Sequence, residues 1–348
     1  MKLKEYFSKN IGVDLGTANT LVYVSGRGIV VNEPSIAAVN NKTGQAIAIG
    51  EDAKKMIGRT PTHITVIRPL INGVISDFEM TQTILRHFLR KIGGFKSFFN
   101  YHQAVIGVPS NLTEVERKSV EDAMLGAGVS KAHVIEEPLA AAIGARLPVH
   151  EPTANMIVDI GGGTTEIAII SMGGIVTAKS LKIAGDKFNE DIIRFIRDEF
   201  KLIIGDPTAE ELKMVIGSAI PIDQKMELVI RGRDMVTGLP KEVIVREPHI
   251  RAAIQKSLRL IVDSIREVIE TTPPELVGDV LKRGIYLCGG GSLLKGIDRL
   301  IQKDLSVMTA VVDDPLTCVV RGTGVIAENF EKYSSILNNP LRPREINI

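Results

Sequence analysis

Short apolar runs and segments with helical periodicity alternate along the chain. In the first half, four apolar runs predict strands, at residues 11–13, 21–24, 28–31 and 104–108. Thr113 and Glu116 then have the spacing of a helix capping box, and Gly126 and Gly128 supply the stop for that helix. A short strand at 133–135 and an Ala-rich helix at 139–146, opened by Pro138, follow. This alternation predicts an α/β fold.

The second half repeats the order of the first. Apolar runs at 156–158 and 167–170 flank a glycine loop, and a third strand near 175–182 precedes a helix near 189–200. An alternating segment at 227–245 predicts a hairpin, and residues 250–269 predict a long amphipathic helix. A strand at 284–287 then leads into a glycine-rich turn and another helix. The repetition predicts lobe I, residues 1–148, and lobe II, residues 149–333, followed by a disordered tail, residues 334–348.

Composition narrows the classes of function. The 348 residues fit about two domains, and 42 basic against 41 acidic residues leave a net charge of +1, so charge gives no reason to expect nucleic acid as a partner. Cys288 and Cys318 are the only cysteines, which favours a reducing cytoplasm over a disulfide scaffold. No apolar run reaches the roughly 18 residues of a membrane-spanning helix.

The two halves share a short glycine loop that follows a strand ending in aspartate. The loops read Asp-Leu-Gly-Thr-Ala-Asn-Thr at 14–20 and Asp-Ile-Gly-Gly-Gly-Thr-Thr-Glu at 159–166. Glycine lets backbone N–H groups approach phosphate oxygens closely, and threonine adds donors. One such loop could equally be an ordinary hairpin turn, but two copies with matched flanks favour one nucleotide clamped between them. The predicted contacts are Gly16, Thr17, Ala18, Asn19, Gly161, Gly162, Gly163 and Thr164.

Acidic residues lie at positions where they could hold the metal ion of a bound nucleotide or act as the general base in its hydrolysis. Asp14 and Asp159 are predicted to hold Mg²⁺ through water, because a carboxylate cannot face phosphates directly. Glu136 and Glu137 lie at a strand-to-helix junction, where an acid is often only a cap stabilised by the helix dipole. Beside the phosphate loops we favour a catalytic role for Glu137, which would orient or deprotonate the water that attacks the γ-phosphate.

Other segments fit the nucleoside less specifically. A glycine turn bearing an aspartate suits a ribose contact, and a Glu/Lys pair on a helix suits ribose hydroxyls and a stacked base, although such pairs are more often solvated ion pairs. The residues concerned are Gly185, Asp186, Glu210, Glu211, Leu212 and Lys213. The glycine run at 289–291 lacks the spacing of a dinucleotide-binding turn. The chain also has no Gly-x-x-x-x-Gly-Lys-Ser/Thr, which excludes a P-loop NTPase.

Two segments could contact a membrane. Phe95, Phe98 and Phe99 stand in a stretch with paired glycines and flanking lysines, which predicts an exposed loop. Exposed aromatic residues beside lysines fit insertion into an anionic membrane surface. Leu3 and Phe7 share a helical face near the N-terminus and could form a second weak anchor, although a frayed terminus explains them equally well.

With these motifs the chain resembles the superfamily of actin, sugar kinases and heat-shock chaperone ATPases, and within it the MreB family of bacterial actins. The likeness runs from about residue 10 to about residue 332. The glycine loops mark the superfamily. Thr-Ala-Asn-Thr at 17–20 and Gly-Arg-Asp-Met-Val-Thr-Gly-Leu-Pro at 232–240 are similar to the MreB family itself, and so are the stretches 32–35, 58–61 and 136–144.

The resemblance implies a duplicated actin-like (ribonuclease H-like) α/β fold, in which two lobes with four subdomains enclose a central nucleotide cleft. The small subdomains would be inserted at about 32–67 and 184–247. The implied cofactors are ATP or ADP with Mg²⁺, and the implied activity is a weak ATPase, stimulated by polymerisation, in which Glu137 positions the attacking water. The resemblance assigns adenosine contacts to 210–213 and to Gly289, Gly290, Gly291, Ser292 and Leu293.

The resemblance also implies a cytoplasmic protein on the inner face of the cell membrane. Its partners would be further copies of itself in double protofilaments, membrane lipids bound through the phenylalanine loop, and membrane proteins of cell-wall elongation, with rod shape as the outcome. A sugar-type kinase of the same fold is the alternative, but it needs an acceptor pocket with a catalytic aspartate, for which the sequence offers no candidate. A chaperone ATPase would need a peptide-binding domain after Tyr333, where about 15 residues follow.

Overall fold

The computed structural model of the protein describes residues 9–93 and 101–337. The chain first builds a five-stranded sheet with the order β3-β2-β1-β9-β10. Neighbours among the first three strands are antiparallel, whereas β9 runs parallel to both β1 and β10. These strands are β1 Ile11–Leu15, β2 Asn19–Val24, β3 Gly28–Pro34, β9 Tyr101–Val108 and β10 Val129–Glu136.

A second sheet repeats this topology in the other half of the chain. Its order is β13-β12-β11-β17-β18, with the same antiparallel and parallel pairs. Its strands are β11 Asn155–Ile160, β12 Thr165–Ser171, β13 Gly174–Leu181, β17 Ile285–Cys288 and β18 Thr309–Val311. Each glycine loop joins the first and second strands of its sheet, so the predicted duplication is confirmed.

Two small sheets extend the lobes. One has the order β5-β4-β6, and the other has the order β14-β15-β16 and contains the hairpin predicted at 227–245. A separate hairpin, β7–β8, follows the first. The strands are β4 Ala37–Asn40, β5 Ala46–Ile49, β6 Ile64–Ile67, β7 Leu70–Ile71, β8 Val74–Ile75, β14 Leu202–Ile203, β15 Glu227–Asp234 and β16 Pro240–Arg246. The first small sheet lies within 32–67 and the second within 184–247, the ranges expected for the inserted subdomains.

Helices cover the sheets, and one of them begins at a cap that the sequence predicts. Thr113 and Glu116 form the predicted capping box, and Gly128 ends that helix in the left-handed region with φ 115°. The helices are α1 Glu51–Lys54, α2 Phe78–Gly93, α3 Glu114–Ala127, α4 Glu137–Gly144, α5 Gly185–Phe200, α6 Asp206–Ile216, α7 Glu247–Glu270, α8 Pro274–Arg283, α9 Ile297–Leu305, α10 Cys318–Glu328 and α11 Phe330–Leu337. Helix α4 begins two residues earlier than predicted, with Pro138 in its first turn.

The C-terminal helices return to lobe I, so the predicted extent of lobe II, 149–333, is wrong at its end. A Cβ on Gly12 would lie 2.5 Å from the backbone nitrogen of Gly324, which places α10 directly against β1. The Asn10 side chain donates to the carbonyl of Ala327 at 3.0 Å, and Tyr23 donates to Glu328 at 2.9 Å. Which sheet a helix covers depends on contacts distant in sequence, which a local pattern does not specify.

The disorder predicted from residue 334 is wrong for the first residues of that tail. Helix α11 continues to Leu337, whose side chain is buried with that of Tyr333. Both join the core between the lobes, and that contact stabilises the last turn. Residues 338–348 lie outside the described part of the chain.

A core of buried residues joins the two lobes beneath the cleft. It combines α4 and α10 of lobe I with Ile157 and Ala168 from the sheet of lobe II. Helices α4 and α10 cross in close contact, because a Cβ on Gly144 would lie 1.9 Å from the carbonyl oxygen of Cys318 and one on Gly322 would lie 1.8 Å from that of Ala140. Glycine is therefore required at both positions of this crossing.

We expect Thr113→Ala to lower the free energy of unfolding by about 1 kcal/mol, because it removes the side-chain acceptor for the amide of Glu116. Chemical unfolding followed by circular dichroism measures this loss. Thr83→Ala is the control, since that exposed hydroxyl bonds only to the carbonyl of Glu79 in its own helix. Equal losses in the two variants would contradict the assignment of the capping box.

Candidate nucleotide site

The two glycine loops meet across the cleft. A Cβ on Gly162 would lie 2.7 Å from the Cβ of Ala18, and a Cβ on Gly163 would lie 2.7 Å from the Thr17 hydroxyl oxygen. Within the second loop the amide of Gly161 donates to the carbonyl of Thr164 at 2.9 Å, which holds the turn closed. The structure thus brings both sets of predicted phosphate contacts to one place.

The first loop is tight for a local reason. A Cβ on Gly16 would lie 2.7 Å from the carbonyl oxygen of Asn19, so the turn requires glycine. The Ser35 hydroxyl donates to the carbonyl of Gly16 at 2.7 Å and ties the loop to the segment after β3. The Asn19 side chain donates to Asn32 at 3.0 Å and is therefore already engaged by the neighbouring strand.

A third turn, which the sequence analysis missed, completes the contact between the loops. Hairpin β7–β8 turns at Asn72 and Gly73, with φ 51° and 74°. The amide of Gly73 donates to the Thr17 hydroxyl at 2.9 Å. A Cβ on Gly163 would lie 3.0 Å from the Cα of Asn72, so the turn touches both loops. Asn-Gly between short apolar runs is a strong hairpin signal and could have revealed it.

Three acidic side chains converge where the loops begin. Burial, and then the charge of Asp159, raise the pKa of Asp14 to about 8. Burial, and then the charge of Glu166, raise the pKa of Asp159 to about 7, against an opposing hydrogen bond from the Cys288 thiol. Burial raises the pKa of Glu137 well above its ordinary range, with further contributions from Glu166, Asp14 and Asp159.

This crowding fits a cation site. Buried carboxylates that raise one another's pKa values are stabilised as anions by a divalent ion between them. Within residues 9–93 and 101–337, no group of three or more His, Cys, Asp or Glu side chains has the arrangement for direct metal coordination.

The start of helix α5 docks on the second glycine loop. The amides of Gly185 and Asp186 donate to the carbonyls of Gly161 and Gly162 at 3.1 and 2.8 Å. The Lys213 ammonium donates to the carbonyl of Gly185 at 3.0 Å, and burial lowers the pKa of this lysine. The predicted nucleoside residues 185, 186 and 213 are therefore adjacent to the phosphate loop.

Asp186 also joins the two lobes. Its carboxylate pairs with the Arg68 guanidinium of lobe I at 3.5 Å. Burial raises the pKa of Asp186, against the opposing charges of Arg68 and Lys213. From the sequence alone, Asp186 is predicted only as a ribose contact, and Arg68 has no predicted role.

The rest of the predicted Glu-Glu-Leu-Lys segment divides by side-chain direction. The Leu212 side chain is fully buried in the core of lobe II, so only its backbone is left to make the predicted nucleoside contact. Its position on the inner face of α6 follows from helical periodicity. Glu211 is exposed and Glu210 is half-buried, close enough to Lys213 to oppose the lowering of the lysine pKa.

The third glycine run lies against Asp159. A Cβ on Gly289 would lie 2.2 Å from an Asp159 carboxylate oxygen, and one on Gly291 would lie 2.2 Å from the Ile160 side chain. Residues Gly290–Leu293 form a single 3₁₀ turn. Within this turn the Ser292 hydroxyl donates to the carbonyl of Gly289 at 2.7 Å, and the Leu293 side chain is exposed.

The MreB/Mbl protein family model matches residues 8–335 of this chain. The chain belongs to the MreB/Mbl family. It is 46% identical over 326 residues to the cell shape-determining protein Mbl of Bacillus subtilis (strain 168), which covers 94% of this chain and 98% of that protein. It is 43% identical over 340 residues to the cell shape-determining protein MreB of Escherichia coli (strain K12), which covers 97% and 98%.

The structural comparison confirms the actin-like fold expected for an MreB/Mbl protein. The crystal structure of MreB 5 of Spiroplasma citri bound to AMPPNP superimposes with a TM-score of 0.90 at 40% identity, covering 94% of this chain and 98% of that one. The same Spiroplasma protein bound to ADP also gives 0.90. These proteins share with this chain the two lobes described above.

The membrane-contact residues predicted for this MreB/Mbl chain lie outside the described residues. Phe95, Phe98, Phe99, Leu3 and Phe7 therefore stay predictions. Across residues 9–93 and 101–337, none of the helices combines the length and apolar character needed to cross a bilayer.

We expect Asp14→Asn to stabilise the protein, stripped of metal and nucleotide, in a pH-dependent way. The pKa of Asp14 rises from 3.8 to about 8 on folding. The folded state thus keeps a proton that the unfolded chain loses, and stability falls as pH rises from about 4 to 8. Removing the carboxylate should raise the free energy of unfolding by roughly 1 kcal/mol or more at pH 8, and by little at pH 4.

Thermal unfolding at several pH values measures this difference. Asp52→Asn is the control, because the exposed Asp52 pairs with Lys55 and its pKa is lowered, so its removal should bring no gain at any pH. A gain from Asp14→Asn that does not change with pH would contradict the buried-acid assignment.

Proposed function

We propose that the protein is an ATP-dependent, filament-forming cytoskeletal protein that takes part in determining cell shape. The single observation that carries the proposal is the meeting of the two glycine loops at Gly162 and Ala18, beside Asp14 and Asp159. The names of the B. subtilis and E. coli relatives support the cell-shape role. The AMPPNP and ADP bound to the Spiroplasma protein support the choice of nucleotide.

The loops would receive the phosphates. The backbone of Gly162 comes so close to the first loop that a Cβ on it would lie 3.3 Å from the backbone nitrogen of Ala18. Backbone amides of the two loops would bind the β- and γ-phosphate oxygens. Asp14 and Asp159 would hold Mg²⁺ through its water ligands, and the ion supplies charge neutralisation for the triphosphate. Gly185 and Lys213, with the turn at 289–293, would line the nucleoside end.

Glu137 would act on the attacking water in a slow hydrolysis of ATP to ADP and phosphate. It stands at the N-terminus of α4 on the lobe I side of the cleft, and its side chain is buried. Its raised pKa makes the ionised carboxylate a stronger base than that of an exposed glutamate. Assembly into filaments would stimulate this step, so the primary role is structural and turnover regulates it.

The same proposal extends to place and partners. The protein would lie in the cytoplasm, peripheral on the inner face of the cell membrane, as double protofilaments of identical copies. Lipids would bind Phe95, Phe98 and Phe99, with Leu3 and Phe7 as a second anchor. Membrane proteins that elongate the cell wall would be the further partners, and rod shape would be the outcome.

We expect Glu137→Gln to bind Mg·ATP with an affinity like that of the parent and to hydrolyse it about 100-fold more slowly, because the amide cannot accept the proton of water. Single-turnover assays measure hydrolysis, and titration calorimetry measures binding. Glu136→Gln is the matched control on the adjacent carboxylate, with turnover within a few fold of the parent. Parental turnover in Glu137→Gln would remove its catalytic role.

We expect ATP and anionic vesicles together to produce membrane-attached filaments, visible by negative-stain electron microscopy and recovered by sedimentation. Replacing Phe95, Phe98 and Phe99 by Ser should cut the vesicle-bound fraction several-fold and leave ATP-dependent filaments in solution. Replacing three exposed residues elsewhere in the chain, Val115, Met172 and Met214, by Ser controls for a general loss of surface hydrophobicity. Monomeric protein that consumes ATP only with an added sugar would contradict the proposal and indicate a kinase.

A further inference from the structure

Glu166 is a buried acid that no step described so far uses. It closes the second glycine loop, and its side chain is only 1% exposed. One of its oxygens accepts from both the amide and the hydroxyl of Ser110, at 3.2 and 2.5 Å, and the other accepts from the Ser180 hydroxyl at 2.5 Å. Ser110 follows β9 in lobe I, whereas Ser180 lies on β13 in lobe II. One carboxylate therefore bonds to both lobes.

The duplicated fold shows that this position does not need an acid. Leu21 and Glu166 each stand seven residues after the aspartate of their loop. Each is also the cross-strand partner of that aspartate, Leu21 facing Asp14 and Glu166 facing Asp159. Lobe I buries an apolar leucine where lobe II buries a carboxylate, although an apolar side chain costs less to bury. The presence of a carboxylate in lobe II where lobe I has a leucine indicates that Glu166 has a role beyond stabilising the sheet.

The surroundings of Glu166 connect it to the reacting end of the site. Strands β9 and β10 are parallel neighbours, and Val108 is the register partner of Glu136. Ser110 and Glu137 therefore both lie just past the carboxyl ends of adjacent strands. The charge of Glu166 follows burial as the largest influence that raises the pKa of Glu137. Whatever fixes Ser110 also fixes the edge of the sheet that carries Glu137.

We propose that Ser110, Glu166 and Ser180 form an interlobe clasp, in which Glu166 is a positioning residue that couples closure of the lobes to the placement of Glu137. Ser180 holds the carboxylate in lobe II, and Ser110 reaches it when lobe I closes on the nucleotide. Opening of the lobes would take the amide and the hydroxyl of Ser110 away from the buried Glu166 carboxylate. The loss of these two donors is unfavourable, so the closed arrangement is favoured while ATP is bound. The inference rests on the proposed ATP hydrolysis, and it adds a contact between the lobes that must form before hydrolysis takes place.

The test separates the two halves of the clasp. Ser110→Ala removes the hydroxyl that lobe I donates to Glu166. Ser180→Ala removes the hydroxyl that lobe II donates to Glu166, at the same distance of 2.5 Å. We expect Ser110→Ala to lower single-turnover hydrolysis at least 10-fold, with the Kd for Mg·ATP changed less than 3-fold, because a small misplacement of a catalytic group is costly. The fold-loss of hydrolysis in Ser180→Ala should be no more than about a third of the fold-loss in Ser110→Ala. Ser110→Thr should restore hydrolysis.

Two controls distinguish positioning from damage to the fold. Thr113→Ala perturbs the same loop without touching Glu166, and its turnover per folded molecule should match that of the parent. Glu166→Leu copies the residue of lobe I, and it should bind Mg·ATP and lose hydrolysis as Ser110→Ala does. Equal losses in Ser110→Ala and Ser180→Ala, or parental hydrolysis in Ser110→Ala, would overturn the clasp alone. A parent protein without ATP hydrolysis would overturn the proposed function, and the clasp with it.

Discussion

The close approach of the two glycine loops is the contact on which the rest of the structure depends. Gly162 and Gly163 meet Ala18 and Thr17 at distances that leave no room for a Cβ atom. Because each turn is anchored to the first strand of its own sheet, the contact fixes the relative position of the two sheets. It also brings Asp14 near Asp159, although the two are distant in sequence.

That contact has an electrostatic cost which links the fold to its ligand. Asp159, Glu137 and Glu166 are buried close to the half-buried Asp14, and the pKa of each of these four acids is raised. Such a cluster weakens the folded state at neutral pH unless a cation or donors stabilise the anions. Glu166 has its donors from Ser110 and Ser180, and a ligand that brings a divalent ion would stabilise the folded protein by mass action.

The local parts of the structure could be predicted from the sequence, and the long-range parts could not. Pattern alone revealed three kinds of local feature, because each is specified by residues a few positions apart. These are the two glycine loops, the helix capping box at Thr113 and the hairpin at 227–245. The return of α10 to lobe I was missed, because an amphipathic helix does not encode which sheet it covers. The bond from Ser110 to Glu166 was missed for the same reason, since it joins residues 56 positions apart.

In the candidate site, too, local motifs could be predicted and the direction or long-range contact of a side chain could not. The phosphate loops, metal anchors and Glu137 could be predicted because a motif occurs twice and the family resemblance gave each copy a role; the roles of Asp14, Asp159 and Glu137 stay predictions. The motif around Leu212 was read residue by residue and did not reveal that the helix turns that side chain into the core. Asn72 and Gly73 were overlooked because the strands of their hairpin are only two residues long.

The return of the C-terminal helices to lobe I has a consequence for how the chain matures during synthesis. Lobe II is one continuous stretch and can complete its core as soon as it has left the ribosome. Lobe I emerges first, yet β1 lacks its cover until α10 arrives, more than 300 residues later. Strand β1 is thus buried only after α10 has been synthesised, and the nascent protein must keep an apolar sheet face soluble until then.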